Sequence, residues 1–343
     1  MRPSFLPRLV NDPFGDPALF IPFHFQHRAF LFDLGDLTVL TSRDVLKTTH
    51  IFVSHTHMDH FVGFDRLLRL FLGREQTLSF YGPEGFLNNV EGKLAGYSWD
   101  LVQSYATRLT LKVTEVQPGQ LRQRCFQCRR SFAPDDEDLV EPWDNNLVEE
   151  PGLTVSAVLL EHSVPCLGFK LAEHFHVNIR TDRLKANGLR PGPWLQRFKE
   201  ALYRRKTADT TIEAEQLGGG RKRFSLGELQ DDIAVITAGQ QICYITDVRF
   251  TTTNVARITS FAAGVDHLFI EAAFLDADRQ IAREKNHLTA RQAGEIAGRS
   301  KVKLLTPFHF SPRYQGQAHL LEAEAQTAYR AALKQKKGSG LNI

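Results

Sequence analysis

The chain has 343 residues, 42% hydrophobic and 24% charged, with 42 Lys and Arg against 39 Asp and Glu and a formal net charge of +3. That is material for a full core in one large globular domain or in a domain with an inserted module, and a charge so near balance points to no class of partner. Four cysteines are too few for a disulfide framework, no stretch approaches the roughly 18 apolar residues of a membrane helix, and the N-terminus has no signal-type apolar run, so we expect a cytoplasmic protein with no membrane partner.

In chain order, "LFIPFHF" (19–25) and "RAFLFDLGD" (28–36) read as neighbouring strands, the second ending at Gly35 with Asp33 and Asp36 beside it. "HIFVSH" (50–55) is a short apolar run, hence a buried strand, and "GFDRLLRLFLG" (63–73) has the 3.6-residue spacing of a helix packed on a sheet. The acidic stretch "APDDEDLVEPWDNN" (133–146) reads as a solvated loop. "LTVSAVLLEH" (153–162), "QICYITDVRF" (241–250) and "HLFIEAAF" (267–274) read as strands. "TARQAGEIAGRS" (289–300) reads as a helix capped by Thr289, "VKLLTPFHF" (302–310) as a last buried strand, and the tail 334–343 is expected to fray. These elements suit an α+β sandwich of four layers, αββα.

The chemistry concentrates in "VSHTHMDHFVG", residues 53–63, which places His55, His57, Asp59 and His60 on the loop from the buried strand to the helix. Any one of these would pass for a surface polar residue. Together they form a donor set: His55 and His57, two apart on an extended loop, project the same way, while Asp59 and His60 can turn to a second point. Neutral imidazole and carboxylate are what zinc accepts, so the segment can serve two ions. The remaining ligands, one bridging carboxylate among them, should come from other strand ends.

"SHTHMDH" resembles the signature of the metallo-β-lactamase superfamily, whose fold is the αββα sandwich, and later segments narrow the likeness to the ribonuclease Z family of tRNA 3′-processing endonucleases. "LLEHSVPCLGFKL", "YITDVRF", "EAAF…NHLTARQAGEIA" and "LLTPFHFSPRY" resemble successive elements of that family in order and spacing, over roughly residues 29 to 316. The resemblance implies two Zn2+ per chain, with Mn2+ as a substitute: one on His55, His57 and His162, the other on Asp59, His60 and His309, with Asp247 bridging. It implies His287 and Glu271 as the pair that assists the leaving group, Asp59 as a proton acceptor, and Ser311 and Arg313 as holders of the scissile phosphate. A homodimer is implied on the same ground.

Between His162 and Asp247 lies a segment rich in Arg and Lys, "RTDRLKANGLRPGPWLQRFKEALYRRK" followed by "GGGRKR". It resembles the family's protruding arm, which grips structured RNA through a Gly-Pro turn. Within a single domain of residues 1–343 we therefore expect an inserted arm at 174–225, with Lys185, Arg190, Pro191, Gly192, Pro193, Arg197, Lys199, Arg204 and Arg205 toward the RNA and Leu184 in the same stretch. A solvated helical face with extra charge is the plainer alternative. Basic side chains on such an arm gain affinity by releasing counterions from phosphates.

The sequence also departs from the family pattern. No Gly-Thr-Gly element is recognisable near the N-terminus, Ile245-Thr246 stand where Ser-Gly is common, Val248 where Thr is usual, and Leu288 where Ser is usual. All ligand positions are spared, but the surrounding shell is altered, which leaves the substrate less defined than the metal. Cys125 and Cys128 form half a zinc knuckle with no second pair. The expected protein is a metal-dependent endoribonuclease acting on tRNA precursors. The alternatives are a hydrolase of the same fold on a small phosphodiester, lactone or sulfate ester, and a non-catalytic RNA-binding relative.

Overall fold

Short apolar runs closed by Gly, Pro or Asp form the strands, and a computed structural model shows them paired into two main sheets. It describes residues 4–24, 26–135 and 137–335; residues 336–343, most of the tail expected to fray, lie outside the described residues. The first sheet runs in sequence order through β1 (Arg8–Leu9), β2 (Leu19–Pro22), β3 (Ala29–Phe32), β4 (Thr48–Phe52), β5 (Gln76–Pro83), β6 (Leu109–Gln117), β7 (Gln120–Gln127) and β8 (Leu139–Pro142). Its central strands, β3 to β6, are parallel. The chain continues through β9 (Asn146–Glu150), β10 (Leu153–Glu161), β11 (Pro165–Glu173), β12 (Phe175–Ile179), β13 (Thr211–Glu215), β14 (Arg221–Ser225), β15 (Ala234–Ala238), β16 (Gln241–Ile245), β17 (His267–Glu271) and β18 (Leu304–Phe308). The second sheet has the order β18-β17-β16-β11-β10-β9.

Alternation along the strands sorts side chains into layers. Leu31, Ile51, Leu78, Phe80, Leu111 and Val113 pack with Phe64, Leu67, Leu68 and Phe71 of the helix Phe64–Phe71 and with Phe86, Leu87 and Val90 of the helix Phe86–Ala95. The intervening positions form an aromatic layer between the sheets: Phe32 stacks on Phe52 at 4.8 Å, Phe52 on Tyr81 at 5.1 Å, and Phe32 meets Phe169 of β11 at 5.6 Å and Tyr244 of β16 at 6.0 Å. On the far face of the second sheet, Cys243, Ile245, Leu268, Ile270 and Leu305 pack with the helices Thr252–Phe261, Ala290–Ser300 and Ala318–Gln335. The four layers are the αββα sandwich expected. No described helix is long and apolar enough to cross a membrane.

One expectation needs correcting. Within the acidic stretch read as a loop, β8 pairs antiparallel with β7. All its residues are exposed, because an edge strand needs only backbone partners and leaves no hydrophobic alternation to read.

The chain divides into two compact units. The larger comprises residues 5–147, 156–170 and 242 onward and holds both helical layers just described. The smaller is built on residues 148–155 and 171–241, with Ser4. It has its own core of Val177, Leu184, Leu189, Trp194, Phe198, Leu202, Ile212, Leu226, Leu229 and Ile233. Two antiparallel pairs, β12 with β15 and the hairpin β13 with β14, frame it, and Gly219 and Gly220 turn the second with φ of 88° and 83°.

Helix Ala290–Ser300 begins as read, at Thr289, whose hydroxyl accepts from Gln292 N at 3.2 Å while the Gln292 side chain accepts from Thr289 N at 2.9 Å. It lies so close to Ala318–Gln335 that a Cβ on Gly294 would stand 2.2 Å from the Ala325 carbonyl oxygen. Gly92, inside helix Phe86–Ala95, would meet nothing within 4 Å. The same substitution should therefore have opposite signs: Gly294→Ala should lower stability by about 1–3 kcal/mol by forcing the helices apart, and Gly92→Ala should raise it by about 0.5–1 kcal/mol through helix propensity alone. Urea unfolding of both variants checks this; a stabilised Gly294→Ala protein would contradict the close approach.

Candidate metal centre

The residues singled out in the sequence gather at strand ends of the larger unit. His55, His57, Asp59 and His60 follow β4, His162 follows β10, Asp247 follows β16, Glu271 closes β17, and His309, Ser311 and Arg313 follow β18. His287 enters from the turn before helix Ala290–Ser300, where its backbone N donates to Ala282 O at 2.9 Å.

Donor atoms of His55, His57, His162 and Asp247 all lie within 4.8 Å of one another, as do those of Asp59, His60 and His309. Asp247 stands between the two groups with one oxygen toward each. Its Oδ2 is 3.6 Å from His55 Nε2 and 3.7 Å from His162 Nε2, whereas its Oδ1 is 3.5 Å from His60 Nε2 and 2.7 Å from His309 Nδ1. Asp59 Oδ2 lies 3.3 Å from both His60 Nε2 and His309 Nε2. His60 Nε2 and His309 Nδ1 are buried without a hydrogen-bond partner despite these near carboxylates. Imidazoles and carboxylates crowded this closely, with two ring nitrogens left unpartnered, are aimed at a common point, which is the arrangement a cation requires.

The outer hydrogen bonds set which ring nitrogen faces that point. Asp33, fully buried at the end of β3, accepts from Ser54 N at 2.6 Å, Ser54 Oγ at 2.9 Å, Tyr244 OH at 2.9 Å and His60 Nδ1 at 2.9 Å. A carboxylate only accepts, so His60 carries its proton on Nδ1 and presents the Nε2 lone pair inward. Ser54, having given its proton to Asp33, accepts from His55 Nδ1 at 3.0 Å with the same result. His162 Nδ1 donates to the Asn286 carbonyl at 3.1 Å. His57 turns Nδ1 to within 2.9 Å of His55 Nε2. This donor set, with the tautomers of His55, His60 and His162 fixed from outside, fits a pair of divalent cations.

Electrostatics agree. Burial drives His55 down to about 2 and lowers His162, which keeps both rings neutral and able to ligate. For His60, burial opposes the charge but Asp247 and Asp33 hold the pKa well above the usual range. His309 is likewise pushed up to about 10 by Asp247 against burial, and Asp247 is held low by His309 and His60 although burial opposes ionisation. Asp59 is lowered by the His309 and His60 imidazoles beside it, again against burial. The carboxylates thus demand positive charge, which in the bare chain only protons supply; bound cations displace such protons.

His287 Nδ1 lies 2.9 Å from Glu271 Oε2, while Glu271 Oε1 accepts from Val248 N at 2.6 Å. Both oxygens of this buried carboxylate are engaged, so in a third donor group that geometry allows, Asp247, Glu271, His287 and His309, Glu271 brings no free oxygen. Burial lowers the affinity of His287 for a proton, but Glu271 outweighs it and raises the pKa. Arg313 is exposed, with no ion pair or side-chain hydrogen bond among the described residues, and the Ser311 hydroxyl caps the turn Pro312–Tyr314 by accepting from Arg313 N at 3.4 Å. Cys125 and Cys128 belong to no donor group among the described residues.

Of the residues expected on an arm, Lys185, Arg197 and Arg205 are exposed and make no ion pair among the described residues. Arg190 pairs with Glu215 at 3.0 Å, Arg204 pairs with Glu200 at 3.0 Å, Lys199 is half-buried, and Leu184 belongs to the smaller unit's core. Pro191, Gly192 and Pro193 form the turn into helix Trp194–Tyr203, with Gly192 packed on Glu215.

Sequence reading missed Asp33 as an organiser, since a lone Asp after a strand carries no spacing signal. The departures noted in the sequence have definite places: Thr246 donates its hydroxyl to Asp247 Oδ1 at 3.0 Å, and Val248 and Leu288 are fully buried in the apolar cluster beneath. Asp16 also reaches the rim, where burial and then Asp59 raise its pKa.

No protein-family model matches the sequence. Among curated proteins it is similar to the Ribonuclease Z of Deinococcus radiodurans, with 30% identity over 305 residues, 88% of this chain and 86% of that protein. It is also similar to the Ribonuclease Z of Halalkalibacterium halodurans, with 30% identity over 313 residues, 89% and 85% of the two chains. Among solved structures it is similar to the metallo-β-lactamase fold protein YhfI from Bacillus subtilis, with a TM-score of 0.51, 14% identity and 94% and 92% coverage, a likeness of fold.

The Asp33 network carries a stability prediction. Asp33→Asn keeps the shape but replaces an acceptor oxygen by an N–H aimed at donors, and should destabilise the chelator-treated protein by about 2–4 kcal/mol in urea unfolding. A change below about 0.5 kcal/mol would mean that the network does not organise the site.

Proposed function

The chain belongs to the ribonuclease Z family, and on that premise we propose that it is a zinc-dependent endoribonuclease that removes 3′ trailers from tRNA precursors and leaves a 3′-hydroxyl. The observation that carries the reading is Asp247, whose two oxygens are divided between two histidine groups. His55, His57 and His162 would hold one ion and Asp59, His60 and His309 the other, with Asp247 between them and Mn2+ as a substitute. Such a pair lowers the pKa of water and offsets charge on a phosphodiester.

The chain's own residues do the rest. Asp59, the most exposed of the carboxylates here with its side chain 40% accessible, is placed to take or orient the proton of the attacking water. Water adds to phosphorus, the bond to the 3′ oxygen breaks, and the trailer leaves with a 5′-phosphate. His287, steadied through Nδ1 by Glu271, has Nε2 free to protonate the departing 3′ oxygen. Arg313, with no internal partner among the described residues, can grip phosphate oxygens in a bidentate way beside Ser311.

For binding, we assign the RNA to the basic arm, residues 174–225. Lys185, Arg197 and Arg205 are free for phosphates, and Arg190 and Arg204 must exchange a carboxylate for one, at a cost of about 0–1 kcal/mol per exposed pair. The same reading carries a cytoplasmic setting and a homodimer.

Chemistry and grip should separate on mutation. Arg313→Ala and His287→Ala should each keep two zinc ions, measured by elemental analysis, while slowing cleavage of a pre-tRNA with a 3′ trailer on the order of 100-fold. The triple charge reversal of Lys185, Arg197 and Arg205 to Glu should weaken pre-tRNA binding and flatten its salt dependence, yet spare hydrolysis of a chromogenic phosphodiester. Equal slowing of both substrates by the triple variant, or products ending in 3′-phosphate, would contradict the assignment.

A further inference from the structure

β10 and β16 lead into His162 and Asp247, yet they are not neighbours: β11 lies between them in the sheet. No backbone ladder therefore fixes the separation of two strand ends whose side chains must converge, with His162 Nε2 3.7 Å from Asp247 Oδ2. Asn254, 1% exposed in the first turn of helix Thr252–Phe261, supplies the missing link. Its Oδ1 accepts from Glu161 N at 3.0 Å, and its Nδ2 donates to Glu161 O at 2.8 Å and Arg249 O at 2.7 Å. The amide reproduces a rung of β-ladder against Glu161, the residue before His162, and ties it to Arg249, two residues after Asp247.

Neighbouring bonds close the frame. Arg249 N donates to the same Glu161 carbonyl at 2.9 Å. The Thr251 hydroxyl accepts from Asn254 N at 3.1 Å and donates to Glu161 Oε2 at 3.2 Å, which holds Asn254 in register. Arg249 Nε donates to Asn286 Oδ1 at 2.9 Å, and the Asn286 carbonyl is the acceptor for His162 Nδ1. The clamp thus reaches the ligand ring itself.

We propose that Asn254 is a positioning residue that sets the spacing of His162 and Asp247 and thereby the metal affinity of the group they share with His55 and His57. The proposal rests on the metal reading of that group. Asparagine suits the place because both amide protons and the carbonyl are used. Aspartate has the same shape but would turn an oxygen toward two carbonyls, and serine leaves room for water to bridge the gap.

The test is zinc binding to the full-length protein, stripped with EDTA and titrated in competition with a chromogenic chelator, for the native chain and for Asn254→Asp and Asn254→Ser. The Asp variant should bind zinc 10- to 100-fold more weakly, with Ser between it and the native chain, and the rise in Tm on adding zinc should shrink in the same order. If Asp prevents folding, Ser decides by the same titration. Titrations that superimpose on the native curve, even with Tm lowered equally with and without zinc, would make Asn254 a fold-stabilising residue only and overturn the proposal. A native chain that takes up no zinc would instead overturn the metal reading, and the proposal with it.

Discussion

Much of this molecule depends on one buried carboxylate. Asp33 sits where two sheets and a metal-binding loop meet, and four donors from three places in the chain converge on it: Ser54 N and Oγ, Tyr244 OH and His60 Nδ1. Burying an ionised carboxyl is costly unless every lone pair is met, so the donors are not free to wander. Because Ser54 and Tyr244 belong to different sheets, the bond network registers one sheet on the other at the end where the ligands emerge. Because His60 and, through Ser54, His55 take their tautomers from it, the same carboxylate decides which nitrogens face the metal centre.

The strand ends show what such convergence requires. Asp33, Asp247 and His309 all have positive φ, 59°, 29° and 59°, in a region non-glycine residues avoid. Each sits just beyond a strand and must turn its side chain off the sheet toward a common centre. Strain of order 1–3 kcal/mol per residue persists only where the surroundings over-determine it. The aromatic layer from Phe32 through Phe52 to Tyr81 provides rigid support beneath, and the engaged oxygens of Glu271 and Asp33 hold the turns from above. The two carboxylates facing the centre, Asp59 and Asp247, are in turn surrounded by imidazoles, so charge there balances only when protons or cations are present.

Legibility in the sequence followed the size of each local signal. The helix Phe64–Phe71 was readable because Phe64, Leu67, Leu68 and Phe71 fall at helical spacing, and β4 and β18 because they lie in short apolar runs, although Leu304 at the start of β18 is exposed. Thr289 was readable as a cap because the capping box is a contact between near neighbours in sequence. β8 was not, since an edge strand with both faces in water differs from a loop only by its partner. Nor was Asp33, because a lone polar residue has no spacing, and its role appears only when residues 21 to 211 positions away arrive around it.

The sequence by itself determined the chemistry on offer. His55, His57, Asp59 and His60 lie within six positions, so short-range geometry alone brings their imidazoles and carboxylate together, and periodicity determined a layered α+β fold able to hold them. Only the tertiary structure decided how those donors divide. Asp247 turns one oxygen to each group because β16 lies in its sheet between β10, which leads into His162, and β18, which leads into His309, a relation set by strand order and not by any local pattern. Likewise the charge of residues 174–225 is written in the sequence, but that Arg190 is occupied was decided by Glu215 on β13, 25 positions away. Composition and period act between near neighbours, whereas the pairing of distant strand ends is a property of the assembled core.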